Sequence, residues 1–178
     1  SMKERQDRFE EACALIRGLF LSDEPVDFQG TYYKLDKAPL SPACFQGPHI
    51  PILVGGTGEK RTLRTLARYG DIMNLDGWAG GPMTAEYFQH KVGVLTKHCE
   101  DWGRDPSEIK KTVLMPTLVS DDGDQVEAFV KGRNLGEGTA AGPKNMVIDR
   151  IGELIDAGAE EVMLGGISPV APDNFQYI

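Results

Sequence analysis

Basic residues are outnumbered, cysteines are scattered and no long apolar run is present, and each shortage narrows the possibilities. Lys and Arg number 19 against 27 Asp and Glu, a formal charge of -8, so no general field attracts nucleic acid or an anionic membrane surface. A small-molecule partner is the better expectation. Cys13, Cys44 and Cys99 are far apart, odd in number and form no CxxC, which argues against a disulfide framework or a cysteine zinc site. A reduced, cytoplasmic setting is expected. No stretch approaches the roughly 20 apolar residues that a membrane helix requires, and the opening KERQDRFEE has no apolar targeting segment. His49, His90 and His98 make no HExxH, and no three or four ligands converge by spacing, so no metal site is expected. His90 and His98 read as solvated helix residues. Neither a Ser-His-Asp nor a Cys-His pairing is suggested, and the catalytic residues stay unknown.

What is present describes a sizeable core. The 178 residues, 40% of them hydrophobic, suffice for one domain over residues 1–178. Residues 5–21 place Phe9, Ala12, Cys13, Ile16, Leu19 and Phe20 at spacings of three and four, which predicts an amphipathic helix. Over residues 26–50, two β-prone runs around Gln29-Gly30 predict a hairpin, with Tyr32 and Tyr33 as packing residues, followed by a proline-bearing loop.

From residue 51 to 168 short apolar runs alternate with longer helical ones. Strands are expected at 52–54, 72–75, 113–119 and 162–164, and helices at 57–69, 85–102, 125–133 and 145–157. The alternation means a parallel sheet, and the unbroken apolar runs suit strands covered on both faces. Four such units are half of an eight-stranded barrel. Residues 134–145, NLGEGTAAGPKN, read as a glycine-rich loop free to move.

The stretch PILVGGTGEKRT carries the most chemistry. A strand running through a glycine turn into a helix leaves backbone N–H groups without intrahelical partners at the positive end of the helix, and anions bind there. Gly55, Gly56 and Gly58 leave no Cβ between backbone and ligand, Thr57 can either cap the helix or donate to a phosphate oxygen, and Arg61 can add a charged donor. The spacing matches neither GxGxxG nor GxxxxGK[ST], which sets aside the two common nucleotide motifs. In DIMNLDGWAGGP, Asn74 can hydrogen-bond a cofactor; Asp76 reads as a turn residue and Trp78 as a loop anchor or the wall of a ring site. Asp71 precedes the strand and falls at the opposite end, outside the site. Gly165-Gly166 suits either a close ligand or a closing turn.

The ordered set RFEEACALIRGLF, VDFQGTYYKLDKAPLSP, PILVGGTGEKRTLRTLARYGDIMNLD and GPKNMVIDRIGELIDAGAEEVML resembles the C-terminal half of the luciferase-like monooxygenase superfamily, especially its deazaflavin-dependent oxidoreductases. The resemblance implies an α/β fold of the TIM-type (β/α) barrel family, here a partial barrel of about four parallel strands, the fifth to eighth, plus the hairpin. It implies coenzyme F-420 or FMN, bound near Gly55, Gly56, Thr57, Gly58, Arg61 and Asn74, and hydride transfer with a small organic substrate. Two alternatives stand beside it: a non-catalytic half-barrel that pairs as a homo-oligomer to cover its open edges, and a different phosphate-binding barrel enzyme.

Overall fold

The computed structural model describes residues 1–79 and 81–166. It opens with helix α1 (Met2–Leu21), whose first turn is capped by the Ser1 side chain accepting from the Glu4 N–H. An antiparallel hairpin follows, β1 (Val26–Gln29) and β2 (Lys34–Ala38), with Phe28 opposite Leu35. Its turn is fastened to α1 by one side chain: the Glu11 carboxylate accepts the N–H groups of Thr31, Tyr32 and Tyr33 at 3.0, 2.8 and 2.7 Å. Gly30 is required there, because a Cβ would stand 1.9 Å from Glu11 Oε1.

Residues 39–52 carry no regular element, as four prolines in a short span dictate. The parallel part then begins with β3 (Leu53–Gly55), α2 (Thr62–Tyr69), β4 (Ile72–Asp76) and α3 (Ala85–Trp102), and continues with β5 (Lys110–Val119), α4 (Gly123–Gly132), β6 (Ala140–Gly142), α5 (Lys144–Asp156) and β7 (Glu161–Gly165). β3 pairs with β4, β4 with β5, and β5 with both β6 and β7, all parallel. Each element sits where its pattern ends: Thr84 caps α3 by accepting from the Tyr87 N–H, and Gly103 closes it in the left-handed conformation, φ 65°.

Two sequence expectations are corrected. The residues read as one glycine-rich loop contain β6, and they are packed rather than loose. Glu137 O accepts from the Met83 N–H, and a Cβ at Gly136 or Gly138 would come within 2.3 and 2.4 Å of the Gly81 and Met83 carbonyl oxygens. Two segments approach backbone to backbone, which only glycine permits. Ala140, Ala141 and Gly142 have little intrinsic strand preference; pairing with Thr117–Val119 in a buried position supplies it. The second correction concerns α2, which begins at Thr62 instead of Thr57.

The core lies on one face of the sheet. Val54, Met73, Leu75, Val113 and Met115 alternate onto that face and pack against Leu63 and Leu66 of α2, Leu95 of α3 and Leu154 of α5. The other face carries Leu53, Gly55, Ile72, Asn74, Leu114 and Met163 by the same alternation, and Leu53 is 46% exposed. Asp71, at the N-terminal end of β4, is structural as expected. Its carboxylate accepts from the Ile52 N–H at 2.8 Å and the Arg17 guanidinium at 3.1 Å, pinning α1 and the start of β3 to the sheet.

Candidate functional site

The parallel register brings the C-terminal ends of β3, β4, β5 and β7 to one side. At the first of them the chain leaves Gly55, passes Gly56 at φ 128°, where an L side chain would be strained, and enters an irregular turn over residues 57–61. The Gly56 N–H donates to Asn74 O at 3.1 Å, fixing the turn to β4. A Cβ at Gly55 would meet nothing within 4 Å, so the backbone faces open space there. Gly58 has a different reason: a Cβ would lie 2.8 Å from Thr62 Oγ1.

The backbone N–H groups of Thr57, Gly58, Glu59 and Lys60, and the Thr57 hydroxyl, have no acceptor among the described residues. Thr57 is therefore not the N-cap of α2. The helix starts five residues later without a side-chain cap, because the Leu63 N–H reaches back to Gly58 O at 3.0 Å and Gly58 disfavours an earlier first turn. Four unpaired amides, an unengaged hydroxyl and an open glycine form a donor set that suits an anionic oxygen group.

Arg61 is not brought to this set. Its guanidinium donates to Asp7 at 2.7 Å and Glu10 at 3.3 Å on α1, and the Asp7 bond holds it firmly protonated. It joins Arg64 and Arg68, which also approach Glu10, in docking α1 onto α2. Asn74 is buried on the face that carries Gly55. Its Nδ2 donates to Thr112 Oγ1 at 2.9 Å and lies 3.9 Å from Met163 Sδ, leaving Oδ1 without a partner among the described residues.

Asp76 and Trp78 behave as turn residue and anchor. The Asp76 carboxylate accepts from the Trp78 N–H at 2.9 Å, and the indole packs edge-on to Phe129 with ring centroids 6.1 Å apart. The glycines ending β7 make room for that indole: a Cβ at Gly165 would stand 2.8 Å from Trp78 Nε1, and one at Gly166 3.3 Å from its ring. Close packing of Trp78 accounts for Gly165, whereas Gly166 sits at φ 99° with Thr117 O 3.1 Å from where its Cβ would be. An apolar cavity of about 260 Å³, lined by Val119, Val147, Ile151 and Leu164, opens on the helix-bearing face, opposite to Gly55 and Asn74.

Sequence reading missed what holds the turn from behind. Glu59 accepts from Lys91 Nζ at 2.6 Å and lies 2.9 Å from His90 Nε2, while His98 Nε2 meets Glu59 O at 2.8 Å. The Lys91 and His90 bonds hold the Glu59 carboxyl below its ordinary range. The two histidines thus grip the turn instead of facing only solvent. Their spacing along α3 with Lys91 is a signal only once the pairing of α3 with the turn is known. Among the described residues no group of three or more His, Cys, Asp or Glu could hold a metal ion, and no helix is long and apolar enough to cross a membrane.

Comparison with known proteins supplies the lineage. A family model described as luciferase-like monooxygenase matches residues 1–133. The 5,10-methylenetetrahydromethanopterin reductase of Methanopyrus kandleri is 24% identical over 204 residues, covering 89% of this chain and 56% of its own length. Among solved structures, an F-420-dependent secondary alcohol dehydrogenase in complex with an F-420–acetone adduct superposes over 100% of this chain and 62% of its own, with TM-score 0.79 at 22% identity. A monooxygenase from Streptomyces bottropensis covers 94% of this chain and 56% of its own, with TM-score 0.70 at 21% identity. The fold is shared with all of these, and the chain spans little more than half the length of the relatives it matches.

Proposed function

The chain belongs to the luciferase-like monooxygenase family, and from that premise we propose that it supplies the cofactor-phosphate side of a flavin or deazaflavin oxidoreductase site. The observation that carries this reading is the turn at residues 55–60, with four N–H groups unengaged among the described residues at the C-terminal end of a parallel strand, where barrel enzymes place their sites. Gly55 lets the ligand approach the backbone, Gly58 and Thr57 donate to phosphate oxygens, and Asn74 Oδ1 offers an acceptor further along the same face. Arg61 serves the α1 interface, so the charge is met by amides rather than by a guanidinium. Coenzyme F-420 and FMN both present the required phosphate oxygens, and both are consistent with relatives described as F-420-dependent or as monooxygenases.

When bound, the isoalloxazine-type ring carries the hydride, and the protein positions it and excludes competing reactions. The reaction proposed for the whole protein is oxidoreduction of a small organic substrate. Replacing Thr57 with Ala is expected to weaken FMN or F-420 binding about tenfold, by loss of one hydrogen bond to a charged group. Titration of cofactor fluorescence checks this, and unchanged affinity in that variant removes Thr57 from the site.

A second reading keeps a specific observation in its favour. The exposed Leu53 and its half-buried neighbours on the same face suit a chain that pairs with another copy, and homo-oligomerisation is proposed on that ground.

A further inference from the structure

A turn can offer an anion its N–H groups or repel it with its carbonyls, and the choice rests on the orientation of a few peptide planes. In a trans peptide the C=O of one residue and the N–H of the next point in opposite directions. The peptides Thr57–Gly58 and Glu59–Lys60 are both trans. Lys91 Nζ donates to Thr57 O at 3.0 Å, and His98 Nε2 meets Glu59 O at 2.8 Å. A carbonyl only accepts, so His98 carries a proton on Nε2. Both carbonyls are drawn toward α3, which sends the N–H groups of Gly58 and Lys60 to the opposite side. The carbonyl between them, Gly58 O, is taken by the Leu63 N–H.

The same lysine also counters a feature of the turn that opposes anion binding. Glu59 lies in the turn itself, and an ionised carboxylate beside the free amides would repel a phosphate. Lys91 holds that carboxylate at 2.6 Å, and His90 assists at 2.9 Å. Lys91 is 6% exposed, and burying an ammonium is costly unless its N–H groups find acceptors. Its acceptors are two groups of this turn, Thr57 O and the Glu59 carboxylate, so the lysine is committed to the shape of the turn rather than to general solvation.

We propose that Lys91 and His98 are positioning residues that turn the Gly58 and Lys60 amides outward and so create the anion cradle. The proposal deepens the reading of residues 55–60 as the cofactor-phosphate site and rests on it. It also explains why α2 need not start at the turn: the amides are aimed by hydrogen bonds from α3, not by a helix axis.

The test uses the full chain in four forms: wild type, Lys91→Met, His98→Leu and His98→Gln. FMN and riboflavin, which differ only in the phosphate ester, are titrated by flavin fluorescence, and inorganic phosphate is titrated with the ¹⁵N amide shifts of Gly58 and Lys60 as readout. Wild type is expected to prefer FMN over riboflavin by about tenfold or more, with both amides shifting. Lys91→Met and His98→Leu should bring the preference close to one and abolish the amide shifts, with riboflavin affinity within about twofold of wild type. His98→Gln, which retains a side-chain N–H donor, should keep most of the preference. Should Lys91→Met fail to fold, the two His98 variants decide the matter. A preference that survives in the variants, or a loss that falls equally on riboflavin, overturns the positioning role alone. A wild-type chain that treats FMN and riboflavin alike, or binds neither, overturns the cradle itself.

Discussion

A single carboxylate, Glu11, organises the hairpin, since three consecutive N–H groups converge on it. Partial burial pushes its pKa up, but the amides of Tyr33, Tyr32 and Thr31 prevail and hold it below the ordinary glutamate range. A Cβ at Gly30 would push that carboxylate off the three N–H groups, so Gly30→Ala is expected to lower the urea midpoint. Urea unfolding checks it. In a Glu11→Ala background the same substitution should cost less, since the carboxylate clash and its bonds vanish together and only the Phe28 ring, 2.7 Å from the added Cβ, remains. Cysteine chemistry is equally local. Burial pushes the Cys13 thiol from 9.0 up to about 11. The folded state therefore keeps a proton that the unfolded chain releases, so this contribution to stability is complete below about pH 9 and is lost as pH rises toward 11. Urea midpoints at pH 8 and pH 10, in wild type and Cys13→Ala, should differ less in the variant. Cys44 is only partly buried whereas Cys13 and Cys99 are buried, so iodoacetamide at pH 8 is expected to label Cys44 first, as peptide mass mapping will show.

At the scale of elements, glycines with positive φ divide into two kinds. Gly138, at φ 80°, has the Met83 carbonyl where its Cβ would be, at 2.4 Å, and backbone on both sides cannot give way. Gly138→Ala should cost about 2–4 kcal/mol, combining strain with overpacking. Gly103, at φ 65°, faces open space, and Gly103→Ala should cost only about 1 kcal/mol. Thermal unfolding of the two variants measures the contrast, and equal losses would mean that the contact between residues 136–138 and 81–84 does not form. The same contact explains why β6 escaped the sequence pattern. Nothing in GTAAG favours a strand until Met83 and β5 close over it. The start of α2 escaped for a related reason, because α3 removes the Thr57 and Glu59 carbonyls from any helical ladder.

For the whole molecule, the asymmetry of the sheet is decisive. One face is sealed by α2, α3 and α5; the other leaves Leu53 exposed and Leu114 and Met163 half-buried. Self-association through that face predicts concentration-dependent mass by light scattering at micromolar protein. Leu53→Glu should shift the chain toward monomer with little loss of thermal stability, since that side chain lies outside the core. A monomer at all concentrations would discard this reading.

Hydrophobic period and punctuation determined most of the architecture without help. Strand runs at 52–54, 72–75, 113–119 and 162–164 lie in or beside real strands, α3 spans its expected residues, and the hairpin forms where Gln29-Gly30 places it, because these signals are local in the chain. The order of its motifs likewise determined the family. Tertiary structure alone decided the use of each polar group at the candidate site. It sent Arg61 to α1, gave Gly165 to Trp78, and set Lys91, His90 and His98 behind the turn at residues 57–60. A guanidinium, a glycine or a histidine has several possible partners of similar energy, and which one it takes depends on segments 30 to 90 residues away that only the folded chain brings within about 3 Å.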